Sequence, residues 1–338
     1  MKRLIPTLVL VLLCIGGFWY ASSKDFFKEK PPETPALVTV SKQDVTGYTI
    51  KNGDTVVEME QKDGKWTMTK PSALPLNDYE PGAWVDSFTN AKKEKTVDAN
   101  PSDLAQFGLA QPNQEFTVTL KDGTKHTLSV GDPVAVQGFY YAKFGSSPEV
   151  FQLAEMHVTS LAKQPLDFME KSPVKLNYEA VRSIAVDYKG GKWTLTKAET
   201  DKKSYEANWK LGEQEVKGAD ASAYLDKVSF LTTDQPAKAS AEVKGLDQPD
   251  LRLEVKEADA EGKETAALYT GKLDGANVWI AKQGDAWAFS VPAASVQELA
   301  GSGPPCRRRR RPKERRRETQ PPRPLRHRRK RPRSRSSA

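Results

Sequence analysis

The pentapeptide Gly108-Leu109-Ala110-Gln111-Pro112 returns as Gly245-Leu246-Asp247-Gln248-Pro249, and the alternation behind it returns too, Phe116 and Val118 answering to Leu253 and Val255 at the same offset of 137. The correspondence runs on in both directions. Upstream, Trp84-Val85-Asp86-Ser87-Phe88 matches Tyr224-Leu225-Asp226-Lys227-Val228, and Trp66 matches Trp209. Downstream, Tyr141-Ala142-Lys143-Phe144-Gly145 matches Ile280-Ala281-Lys282-Gln283-Gly284, Phe151 matches Phe289 and Leu161 matches Leu299. Most of the shared residues are apolar or turn-forming. A chain that carries them twice in one order is expected to build one unit twice, each with its own core. The repeat runs from Val45 to Leu161 and from Val181 to Leu299.

Each copy reads in a fixed order. Strands come first, divided by Asn52-Gly53 and Asp63-Gly64 in copy one and by Gly190-Gly191 in copy two, pairs that supply the positive φ of a two-residue hairpin turn. A helix follows. Trp84, Val85 and Phe88 share one face in copy one; Tyr224, Leu225, Val228 and Leu231 do so in copy two, with Ser222 placed to cap. A short helix from Pro101 to Phe107, capped by Asn100, should then end at Gly108, which suits the left-handed conformation, and Pro112 keeps it from restarting. A meander completes each copy, turning at Asp122-Gly123 in the first and at Glu261-Gly262 and Asp274-Gly275 in the second, before a last helix over 154–162 or 292–300. The expected fold is α+β: two tandem homologous modules with mostly antiparallel sheets and short helices, over 41–170 and 171–301, joined through residues 163–178.

The N-terminus has a different character. Lys2 and Arg3 precede 18 uncharged residues, Leu4 to Ala21, with Trp19 and Tyr20 at the far end. That length just spans a hydrocarbon core, the basic start stays inside, and the aromatics suit the interface. Residues 1–23 therefore read as a single-pass anchor with the N-terminus cytoplasmic and the body extracytoplasmic. A cleaved signal peptide, with a weak site at Ala21-Ser22-Ser23, is the rival, and bulky Leu12-Leu13 argue against lipidation at Cys14. Residues 24–40 read as a polar, proline-containing stalk.

The overall charge of +8 hides two chains. Residues 302–338 carry 15 arginines and 2 lysines against Glu314 and Glu318, a net +15; the first 301 residues hold 35 basic and 42 acidic side chains, a net −7. The body is mildly acidic, so the basic balance does not mark it as nucleic-acid-binding. The Arg/Pro/Ser tail reads as disordered. Its sharp onset at Gly301-Ser302-Gly303-Pro304, just after the second copy is complete, favours translation in a shifted frame. A genuine cytoplasmic arm would bind polyanions, and a genuine arm outside the cell would touch the anionic envelope.

Chemistry-bearing residues are sparse. The cysteines, Cys14 and Cys306, both lie outside the body, which excludes a disulfide framework or thiolate site there. His126 and His157 stand apart in sequence without ligand spacing. Asp247, Asp250, Glu254, Glu257, Asp259 and Glu261 form an acidic cluster that could hold a general acid/base pair, but alternation places it on the solvated face of a strand and its hairpin. Trp66, Trp84, Trp193, Trp209, Trp279, Trp287, Tyr140 and Tyr141 could line a glycan or peptide groove or fill a core. Nucleophile-elbow, phosphate-loop and dinucleotide motifs are absent. No catalytic, cofactor-binding or metal residue is assigned, and the chain is expected not to be an enzyme.

An N-terminal anchor, a Trp before a capped helix, a Gly-Leu-x-x-Pro element entering an alternating strand and a later aromatic strand pair are together similar to the bacterial family called domain of unknown function 4340, over about residues 40–301. The resemblance implies an extracytoplasmic or membrane-associated auxiliary protein, commonly encoded beside gliding-type ABC transporter genes, with a permease or auxiliary subunit as partner. It supplies no catalytic residues. The expected function is thus a membrane-tethered accessory protein of an ABC-type transport system, with a glycan- or peptide-binding module as the alternative.

Overall fold

The protein, seen in a computed structural model, is described for Tyr20 and residues 36–303. The expected anchor, most of the stalk and the basic tail beyond Gly303 lie outside the described residues. Among those described, no helix is long and apolar enough to cross a membrane.

The chain forms two antiparallel sheets in succession. The first contains β1 (Val45–Asn52), β2 (Thr55–Lys62), β3 (Lys65–Lys70), β4 (Lys93–Asp98), β5 (Gln114–Leu120), β6 (Lys125–Pro133), β7 (Phe139–Phe144) and β8 (Val150–Ala154), in the spatial order β3-β2-β1-β5-β6-β7-β8-β4. Helix α1 (Glu80–Thr89) enters between β3 and β4, and α2 (Glu155–Leu161) follows β8. The second sheet contains β9 (Val181–Tyr188), β10 (Gly191–Lys197), β11 (Asn208–Leu211), β12 (Gln214–Lys217), β13 (Lys238–Ala239), β14 (Leu251–Ala258), β15 (Glu264–Asp274), β16 (Asn277–Lys282) and β17 (Trp287–Pro292), ordered β12-β11-β10-β9-β14-β15-β16-β17-β13. Helix α3 (Gly218–Ser229) lies between β12 and β13, and α4 (Ala293–Gly301) follows β17. The two orders agree strand for strand, except that β12 lies outside β11 where the first sheet ends at β3.

Alternation decides the faces. In β5, Phe116 and Val118 are fully buried while Thr117 between them is half-exposed; in β14, Leu251, Leu253 and Val255 are buried. The helices cover this inner face: α1 buries Trp84, Val85 and Phe88, and α3 buries Ala221, Leu225 and Val228. Burying a large apolar side chain contributes roughly 1.5–3 kcal/mol, so each sheet with its helices carries a core of its own. A β-bulge falls at the same place in both: the register shifts between Val45 and Gly47 where β1 meets β5, and between Lys256 and Glu257 where β14 meets β9. On the outer face, Leu109 packs with Phe107 and Val150 against Tyr141, and Leu246 packs with Trp279 and Ala281. The repeated Gly-Leu-x-x-Pro element is therefore a plug on the back of each sheet. Gly108 ends its 3-10 turn at φ 69°, as its left-handed role requires.

Several local expectations shift. The helix expected from Pro101 is only the 3-10 turn Ala105–Phe107, because the carboxylates of Asp98 and Asp103 accept the amides of Asn100 and Ala105 and hold the chain in turns. Ser222 does not cap α3; it lies inside, donating to the Gly218 carbonyl, and Lys217 is the N-cap. The hairpin after β9 turns on Lys189 and Gly190, both at positive φ; Gly191 opens β10, where a Cβ would lie 2.9 Å from the Ala300 carbonyl. The string match of Tyr141 to Ile280 is out by one residue. Ala142 pairs with Phe151 and Ile280 with Phe289, so Tyr141 corresponds to Trp279, and both face outward. A one-residue slip in a strand exchanges the two faces, and a shared turn glycine was enough to cause it. Strands β4, β12 and β13 went unpredicted: short and mostly polar, they show no period-2 apolar pattern.

The connection between the sheets is fastened at both ends. Phe168 is buried in the first core and Val174 in the second. Between them Glu170 accepts the amides of Lys171 and Ser172, the Ser172 hydroxyl donates to the Val174 and Leu231 carbonyls, and the Thr233 amide donates to Lys171.

Candidate functional site: a cleft where the two sheets meet

The 71–79 connection, which carries Leu74, Pro75 and Leu76, leaves β3 and runs to the junction. Leu76 bridges Met169, Asn77 donates its amide to Phe168, and Glu170 donates to Pro75. From the other side β17 brings Trp287 and Phe289. Met169, Ala237 and Phe289 are buried there, with Leu74, Leu166 and Trp287 packed around them. Trp287 separates two open clefts. One, of about 440 Å³, is walled by Glu170, Lys175, Tyr269, Lys282 and Asp285. The other, of about 690 Å³, runs along β3 between Trp66 and residues 73–78 and ends on Trp287.

Charge gathers at the rim. Lys175 reaches Glu170 and Asp78, each at 3.0 Å, and so ties the start of the second unit to the first. Burial works to lower the Lys175 ammonium, but the two carboxylates outweigh it and hold its pKa above the ordinary lysine value. Burial, helped by the negative charges of Glu257 and Asp285, pushes the Tyr269 phenol up to about 12, so it stays a neutral donor. An apolar floor with two indoles and a rim of both charges suits an elongated ligand with an apolar side and polar edges.

The other candidates are dispersed. Trp84, Trp193 and Trp209 are buried in the two cores, Tyr140 packs against the first core, and Tyr141 and Trp279 belong to the outer-face clusters. Only Trp66 and Trp287 of the eight aromatics come to the cleft. His126 lies half-buried on the inner face of β6 against Phe144, ring centroids 6.1 Å apart. His157 is on α2, where burial holds its imidazole below the usual value. Among the described residues no group of three or more His, Cys, Asp or Glu side chains could hold a metal ion. Asp250 accepts the Leu273 amide at 2.9 Å and faces Lys272 at 3.3 Å, which keeps its carboxyl below the usual range. Glu254 pairs with Lys256, four residues and roughly 13 Å along the strand, too far to act with Asp250. Asp247 and Glu261 are exposed, and Asp259 holds the Lys263 amide in its turn. Only Glu257 reaches a cleft, where it also accepts the Asn177 amide. Tyr269, Lys175, Leu74 and Leu76 were missed. The single signal for them was the apolar Leu-Pro-Leu within a loop.

The fold and site define a class: a double antiparallel-sheet protein with two half-buried tryptophans, Trp66 and Trp287, in the cleft at its junction. The chain belongs to the family described as Domain of unknown function (DUF4340), whose model matches residues 66–244. That span starts in β3 and ends before β14, so it contains parts of both sheets and the connection between them, while Trp287 and Phe289 of β17 lie beyond it. No curated protein and no solved structure matches the chain.

Proposed function

We propose that this is a membrane-tethered, non-enzymatic accessory protein that works outside the cytoplasm with an ABC-type transport system, offering its junction cleft to a partner. We also infer that its two units descend from one duplicated module, which the shared strand order and shared bulge support. The observation that carries the functional reading is the cleft itself: Trp66 and Trp287 stay open to solvent between two otherwise closed cores. The uncharged stretch from Leu4 to Ala21 supports the tether. Purification of the full chain from its own membranes, in a detergent that keeps transport complexes whole, should bring down a permease or auxiliary subunit, and Trp287→Ala should reduce the yield. Recovery of the chain without any transport subunit overturns the reading. A topology reporter fused after residue 301 should report from outside the cytoplasm.

A second reading, a glycan- or peptide-binding module, rests on the two indoles in the larger cleft. Titration with glycan oligomers and peptides, read against Trp66→Ala, tests it.

A further inference from the structure

The two sheets differ at one edge. In the second, β12 pairs antiparallel with β11, setting Val216 opposite Trp209 and Glu215 opposite Lys210. In the first, β3 is the edge strand, and among the described residues no backbone group pairs with its outer side. The registers make the strands equivalent: Trp66 lies two residues from Met68, which faces Met59, just as Trp209 lies two residues from Leu211, which faces Leu195. The hydrogen-bond phase agrees as well. The two-residue turn at Asp63 and Gly64 makes Lys62 and Lys65 an exchanging pair, so Trp66, the next residue, turns its N–H and C=O away from β2. In the second sheet the turn between Leu211 and Gln214 makes Trp209 and Val216 exchange bonds by the same alternation. Trp66 therefore offers an outward backbone pair where Trp209 has a strand in place.

We propose that the β3 edge is a strand-addition site. It takes an extended segment of a partner protein, antiparallel to β3, in the position that β12 occupies in the second sheet. The 690 Å³ cleft lies along this edge, and Leu74, Leu76 and Trp287 form the wall that would receive the inward side chains of the added strand. The proposal rests on the reading of this cleft as a binding site and narrows it to a peptide. Charge argues against a second copy as occupant. β3 carries Lys65 and Lys70 and no acidic residue, so joining two copies of this edge would bring like charges together. The segment that fits carries acidic residues at its ends and β-branched residues facing Trp66 and Met68, as Val216 faces Trp209. The opposite edge of the same sheet is unsuited: β4 is interrupted by two register shifts.

The test uses the full chain in detergent micelles and a capped hexapeptide of sequence ETVTVE as probe, with fluorescence anisotropy for affinity and amide exchange for location. Saturable binding is expected, with protection at Trp66 and Met68. Methylating the two valine amides of the peptide should weaken binding about tenfold or more, since each lost backbone hydrogen bond removes about 1 kcal/mol. Trp66→Ala, checked for folding by its melting curve, should weaken it as well. Equal binding of the plain and methylated peptides overturns strand addition while leaving the cleft a binding site. Protection at another edge overturns it, and so does absence of peptide binding. A glycan oligomer that binds in a Trp66-dependent way when the peptide does not would overturn it in favour of a sugar site.

Discussion

Trp66 and Trp209 hold the same place in their sheets and have opposite surroundings. Trp209 is fully buried: its indole N–H donates to the Ser204 carbonyl at 2.9 Å, within the long connection from Ala198 to Ala207 that lies over it. That connection is fixed in turn. Ser204 receives Lys197 at its hydroxyl, donates from it to Tyr178, and donates its amide to Glu179. In the first sheet the same connection is only the turn at Asp63 and Gly64, and Trp66 stays half-buried beside Tyr48 and open to the cleft. A difference in loop length thus turns one tryptophan into core and leaves its counterpart as surface. Where a loop and a further strand are present the edge is closed, and where they are lacking the edge is the candidate site.

A second exchange keeps its outcome. In the first unit the helix supplies the tryptophan: Trp84 of α1 stacks on Tyr48, ring centroids 4.1 Å apart, and donates to the Leu161 carbonyl at 2.9 Å. In the second unit a strand supplies it: Trp193 of β10 meets Tyr224 of α3 edge-on and donates to the Leu299 carbonyl at 3.0 Å. Leu161 and Leu299 lie in the last turns of corresponding helices. Each carbonyl also accepts a backbone amide, from Lys163 or Ser302, and either side of the layer can supply the additional indole donor. The exchange has a cost in the first unit, where the Tyr48 hydroxyl is buried without a partner and burial pushes its pKa well above the usual phenol range.

Chemical denaturation would break or sharpen this contrast most directly. Trp209→Ala should cost about 3–5 kcal/mol, as truncation of a buried aromatic does. Trp66→Ala should cost about half that, because part of its surface already meets water. Equal losses would end the distinction between core and site. Next in size, Trp84→Phe and Trp193→Phe should each cost about 0.5–1.5 kcal/mol, since each removes one hydrogen bond from a carbonyl that keeps its backbone donor, Lys163 or Ser302, and the two losses should be alike. A large inequality would show that the exchange is not energetically neutral.

A smaller effect distinguishes the outer strands. Glu149 accepts from Thr96 and Lys93 of β4, and these bonds hold its carboxyl below the ordinary value of 4.5. The stabilisation is therefore complete above that value and is lost as pH falls through the lower folded pKa. Amide exchange in β4 should speed up selectively in acid, while β13, without such a carboxylate contact, should change less. The smallest effect belongs to the junction. Lys175→Met should change stability by about 0.5 kcal/mol or less, because the ammonium is 59% exposed and its attraction to Asp78 and Glu170 is screened. With its folded pKa raised, the pair is intact at neutral pH and fades only as pH climbs past the lysine range.

Much of the scaffold was legible in the chain. Apolar alternation located β5 and β14, helical spacing picked out the buried faces of α1 and α3, and turn glycines marked most hairpins, because these signals depend on neighbours in sequence. The acidic run on β14 reads as the solvated face of a strand and its hairpin; the strand spaces Asp250 and Glu254 too widely to meet, but Glu257 enters a cleft. Trp66 and Trp287 were among the aromatic candidates, but nothing local separated them from Trp84, Trp193 and Trp209.

The sequence by itself determined an α+β chain with two sets of matching core and turn positions, an acidic body and an uncharged N-terminal stretch. All of these follow from periodicity and composition. Tertiary structure alone decided which aromatics are core and which are cleft, that Tyr141 answers to Trp279, and that β3 ends its sheet where β11 does not. Those outcomes depend on what packs across the layer from residues distant in sequence. A chain written in one dimension records the faces of its strands and helices, but not which edge is left without a neighbour.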